Sequence, residues 1–141
     1  MLPKSVHKRL ASEFAFAAKK IAESGDIAMK VYYFSVFHGE TARQLNMHWD
    51  ADLALLWSVA QHLTNAIGAR SAQAKGEFPL GGYPDGFLQA IDEVSADLAG
   101  AFDGVELDMP RLHVALEITA ALAFSTTGNG AYLVEKGTIE F

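Results

Sequence analysis

Apolar residues return along this chain at helical intervals. Between Ser5 and Ser24, Val6, Leu10, Phe14, Ala17 and Ile21 fall on one side, while Lys8, Lys19 and Lys20 fall on the other. A recurrence every three or four residues lines one face of an α-helix. Ser5 offers an N-cap for it and Gly25 a stop. The pattern resumes from Ile27 to Asn46, where Ile27, Val31, Phe34, Thr41 and Leu45 keep the same spacing. Within that segment Lys30–Phe37 is β-branched and aromatic, which favours a strand. The longer period outweighs the local preference, so the spacing predicts a helix, with Asn46 as its left-handed last residue.

A third helix follows Asp50, its N-cap, with Trp49, Leu53, Leu56, Ala60, Leu63 and Ile67 as its apolar face and Asp52 complementing the helix dipole. Ser71–Gly86 is rich in glycine and proline and predicts a long loop. Asp85 then caps a fourth helix striped by Phe87, Ile91, Val94, Leu98 and Phe102. Asp108 and Pro110 open a fifth, which ends near Ser125 before Gly128. Finally, Ala131–Val134 and Thr138–Phe141 flank Glu135-Lys-Gly137, a pattern that suits a small hairpin.

These elements predict one domain over residues 1–141: an all-α array of about five antiparallel helices with a short extended C-terminal tail. The alternative is an α+β domain in which a strand at 30–37 pairs with the C-terminal segment.

Composition narrows the function. The 141 residues are half hydrophobic and carry a net charge of −6, which supports a packed core and disfavours nucleic-acid phosphate as a partner. With no cysteine in the chain, thiolate chemistry is excluded and histidine and carboxylate remain as strong ligands. The basic start is interrupted by Glu13 and followed by Lys19 and Lys20, which suits an amphipathic helix better than a signal peptide. The most apolar stretch, Leu112–Phe124, is too short to cross a bilayer. A cytoplasmic location and no membrane partner are the resulting expectations.

The fifth helix carries the main chemical candidates. It is apolar on every side, which predicts burial, and His113 and Glu117 are its only ionisable groups between Leu112 and Phe124. Four residues apart, they share a face. His38 lies within the stripe of the second helix. If the two helices meet, His38, His113 and Glu117 converge in the interior as metal ligands, or as a general base with orienting partners. The structural alternative, a core histidine on a backbone carbonyl beside an internal His–Glu pair, explains the same residues without a site and outweighs the functional one.

Other groups read as structural. Glu40 and Arg43 suit an exposed ion pair; Asp92, Glu93 and Asp97 form an acidic edge that reads as solvated; His62 falls opposite the third helix's stripe, toward solvent. The glycine loop lacks the lysine and hydroxyl of a phosphate loop, although Phe78, Leu80 and Tyr83 suit a lid, with a small-molecule ligand under residues 76–86. Tyr33, Val36 and Phe37 give the second helix a second apolar face, which a homodimer through helical aromatic faces would use. Two functions are therefore expected in this order: an interaction or accessory protein acting as a homo-oligomer, and a small metal- or nucleotide-dependent hydrolase with a buried His/Glu site.

Overall fold

The computed structural model describes residues 2–73 and 85–132, and these form an all-α bundle. The helices are α1 (Lys4–Glu23), α2 (Ile27–Met47), α3 (Ala51–Gln73), α4 (Asp85–Gly100) and α5 (Met109–Thr127). The expected lid residues Phe78, Leu80 and Tyr83, the ligand site beneath them and nearly all of the expected tail and hairpin lie outside the described residues.

Segment 30–37 is helical, so the α+β alternative is set aside. The reason lies in which residues are buried. Lys30, Phe34, Phe37, Thr41 and Gln44 form the inward stripe of α2, a regular three–four alternation that only a helix can present to one side. That stripe is rotated from the expected one: Ile27, Val31 and Leu45 are only half-buried. In α1 the expected Leu10, Phe14, Ala17 and Ile21 are all fully buried. In α4, Phe87, Ile91, Val94 and Leu98 turn inward as their spacing requires.

The helix starts are set by aspartates. Asp26 accepts from the Ala28 amide at 3.1 Å, Asp50 from the amides of Asp52 at 2.8 Å and Leu53 at 3.2 Å, and Asp108 from that of Arg111 at 3.1 Å. Each satisfies amides that the first helical turn leaves without a partner. Ser5 has no such role, because α1 begins at Lys4 with Pro3 in the cap position. Asn46 stays inside α2, which continues to Met47 and ends on an extended His48. Gly128, at φ 73°, closes α5 in the left-handed region where a side chain is disfavoured.

Around the bundle the helices follow the order α1, α2, α3, α5, α4, with α4 returning to α1 and α2 also touching α4 across the centre. Short links make α1/α2 and α2/α3 antiparallel. His7 and Phe14 of α1 pack on Phe102, just past the end of α4, so α1 and α4 are antiparallel as well. Five being odd, one pair adjacent around the ring must run the same way, as α2 and α4 do across the centre. The adjacent pair is α3 and α5, which form the most extensive helix contact.

The core has two textures. Phe14 meets Phe37 at 4.8 Å between ring centroids and Phe102 at 5.2 Å, both edge-on, and Phe34 lies 5.3 Å from Phe37. Edge-to-face geometry adds to the area these rings bury. Beside this cluster Lys30 is 6% exposed. Its ammonium donates to Asp92 Oδ1 at 2.6 Å and to the Ile21 carbonyl at 2.7 Å, fastening α2 to α4 and to the end of α1. α5, by contrast, buries small residues: Ala115, Thr119, Ala120 and Ala123, with Leu112. Its larger Leu116, Ile118, Leu122 and Phe124 are half-buried, and Val114 is 52% exposed.

Candidate functional site

His113 and Glu117 are exposed, which corrects the expectation that α5 hides them. The physical reason is the choice of face: a helix apolar all round can pack by any side, and α5 packs by its smallest one. α2 and α5 lie on separate flanks of α3, so His38 is not brought to the other two candidates. Among the described residues no three His, Asp or Glu side chains come close enough to share a metal ion.

His38 instead heads a hydrogen-bonded chain between α2 and α3. Its Nε2 faces Gln61 Oε1 at 2.5 Å. Gln61 Nε2 donates to Asn65 Oδ1 at 2.6 Å, one turn along α3, and Asn65 Nδ2 donates to the Tyr132 hydroxyl oxygen at 3.1 Å. In this direction Gln61 and Asn65 each give one hydrogen and accept one, while the Tyr132 hydroxyl oxygen accepts at the end. With its Nε2 donating to Asn65, Gln61 leaves Oε1 to accept from His38 Nε2. Trp57, one turn before Gln61, lies over His38 with ring centroids 6.0 Å apart.

Tyr132 reaches α3 because α5 stops at Gly128 and the chain turns back. Asn129 holds that turn, accepting from the Ala131 amide through Oδ1 at 3.0 Å while its own amide donates to Thr127 Oγ1 at 3.1 Å. The Tyr132 ring then stands edge-on to His62 at 5.1 Å. His62 is buried, against the expectation of a solvated ring, since α3 is covered on this side by the returning chain. The chain of amides, phenol and imidazole holds no nucleophile paired with a base; what it offers is polar satisfaction across a helix interface.

The acidic edge of α4 is also rearranged. Asp92 serves Lys30, Asp97 accepts from Arg111 Nε at 3.0 Å, and Glu93 accepts from Gln89. Glu40 pairs with Arg9 of α1 at 3.2 and 3.4 Å rather than standing over Arg43. That carboxylate, by its hydrogen bond and its charge, raises the pKa of the Arg9 guanidinium.

Two surface features complete the picture. At the end where α1, α3 and α5 begin, a cleft of about 510 Å³ opens between Leu2, Val105, Leu107 and Met109, with Lys4 and His7 of α1 beside Asp52 of α3. On the outer side of α1 and α2, aromatic residues lie together. Phe16 is 48% exposed, Tyr32 65% and Met29 40%. Tyr33 links them, 6.0 Å from Phe16 and 5.1 Å from Tyr32 between centroids, and the Lys20 ammonium stands 5.7 Å from the centre of the Phe16 ring. The sequence signal for this face, Tyr33 and Val36 off the core stripe, is there, although Phe37, grouped with them, is fully buried.

No helix among the described residues is long and apolar enough to cross a membrane. No protein-family model, curated protein or solved structure matches the chain.

Proposed function

We propose that this chain is a binding protein that works as a homodimer, joined through the outer face of α1 and α2. The observation that carries the reading is the contiguous aromatic set Phe16, Tyr33 and Tyr32, in which Phe16 and Tyr32 are largely exposed, with the exposed Met29 one turn before Tyr33 on α2. Tyrosine and phenylalanine bury large areas at little entropic cost and are enriched at interfaces, and a contiguous apolar patch on a small domain marks a contact surface. A two-fold assembly needs only one such patch per subunit, and it is the commonest oligomeric form. The His38 chain then has a structural part, fixing α2 against α3 so that the outer face is presented rigidly.

Size-exclusion chromatography with light scattering tests this. The wild-type chain should run at twice the monomer mass, and Tyr32→Glu, which places a charge on the most exposed ring of the patch, should run as a folded monomer. A wild-type mass of one chain at every concentration up to the millimolar range overturns the reading.

A further inference from the structure

The outward side of α1 carries charges arranged evenly about Phe16. Along this face run Arg9, Ser12, Glu13, Phe16, Lys19, Lys20 and Glu23, of which Glu13 and Lys20 are half-buried and the rest exposed. Counting from Phe16, Glu13 lies three residues before and Lys19 three after; Ser12 lies four before and Lys20 four after; Arg9 lies seven before and Glu23 seven after. Every charged position thus has, at the same distance on the other side, an opposite charge or a neutral hydroxyl.

Resting on the homodimer reading, we propose that two copies meet with their α1 helices antiparallel, related by a two-fold axis that passes beside Phe16. A two-fold axis across the helices sets residue 16 + n of one copy beside residue 16 − n of the other. Glu13 then meets the partner copy's Lys19, with its Lys20 one turn position away, and Glu23 meets Arg9. The two Phe16 rings stack at the centre, each already flanked by its own Tyr33 and Lys20. A parallel arrangement sets Glu13 beside Glu13 and the lysines beside their own copies, which repel. Opposite charges at the rim of an aromatic contact fix its register, while the buried rings hold it together.

Arg9 enters this scheme already bonded to Glu40 of its own chain. Two of its guanidinium nitrogens serve Glu40 and the group is 42% exposed on its side chain, so a third nitrogen is available to a carboxylate from outside. The α1/α2 pair keeps a common register, Arg9 level with Glu40 and Phe16 with Tyr33. An axis beside Phe16 therefore also passes Tyr33, and the aromatic face is brought onto itself.

The chain has no cysteine, which makes the register directly readable. In the double variant Ser12→Cys/Lys20→Cys the two thiols of one chain are about 12 Å apart along α1, too far to bridge within a subunit. Across the proposed axis each faces the other's counterpart, so mild oxidation should convert most of the protein to covalent dimer. Each single variant, whose thiols lie about 12 Å apart across the axis, should stay uncrosslinked. Reversing the charge in Glu13→Lys should weaken the dimer roughly three- to tenfold, and Glu13→Lys/Lys19→Glu/Lys20→Glu should return it to within about threefold of wild type. Crosslinking of either single variant with itself, or failure of the triple variant to recover, overturns the antiparallel register while leaving a Tyr32-dependent dimer intact. A monomeric wild-type chain removes the dimer itself.

Discussion

The bundle is held together differently on its two sides. Where α1, α2 and α4 meet, four phenylalanine rings interlock and a buried lysine ties three helices at one point. Where α3 and α5 run side by side, the buried side of α5 is mostly alanine and threonine, and its large residues sit at the margin. The lesson is that apolar content and burial are separate properties of a helix. A ring-filled junction needs bulk at fixed positions, whereas two parallel helices in extensive contact need a lack of it. α5 has the most uniformly apolar sequence in the chain, and it nevertheless shows solvent His113, Val114 and Glu117.

Substitutions separate the two textures. The largest effect belongs to the aromatic junction: Phe14→Ala, at a fully buried ring with two aromatic neighbours, should lower stability by about 3–5 kcal/mol in urea unfolding. At the α5 interface the sign of the volume change reverses. Ala115→Leu, adding bulk at a fully buried position, should cost about 1–3 kcal/mol, whereas Val114→Ala on the exposed side should change little. Equal costs for both would mean that α5 is not packed by its small face.

Lys30 sharpens the comparison from the charged side. Asp92→Ala leaves an ammonium that is 7% exposed with only the Ile21 carbonyl, and should cost about 1–3 kcal/mol, reduced from the fully buried case because Asp92 itself is 45% exposed. Lys30→Met removes the buried charge and leaves a carboxylate that water can reach, so its cost should stay within about 1 kcal/mol. The ordering of the two, by thermal or urea unfolding, is the informative result. The smallest effect lies in the amide chain of α3. Gln61→Ala and Asn65→Ala should each cost about 1 kcal/mol and be coupled by about 0.5–1 kcal/mol in a double-mutant cycle. Additivity would mean that the chain from His38 to Tyr132 does not act as one unit.

Much of the fold is legible in the residues. The stripes of α1 and α4, the aspartate caps at Asp50 and Asp108 and the stop at Gly128 follow from spacing and side-chain chemistry that act within one helix. What is hidden depends on neighbours. The inward stripe of α2 includes Lys30 and Gln44, polar residues that hydrophobic periodicity counts as outward, and only the carboxylate of α4 and the carbonyl of α1 make the first of them at home inside. Which side of α5 turns inward is undetermined by a pattern apolar on all sides; the packing against α3 decides it. The polar chain is hidden for the same reason. Gln61 and Asn65 show an i, i+4 spacing, but His38 and Tyr132 join them from 23 and 67 residues away.

The position of α4 has a consequence for how the molecule comes into being. Its helices do not stand around the bundle in the order in which they are made: α5, the last of the five described helices, separates α3 from α4. A nascent chain that has emerged only as far as Gly100 therefore holds α3 and α4 with a gap between them, and each must wait with an apolar flank uncovered. α5 acts as a keystone, and its loss would cost the structure far more than the number of residues removed.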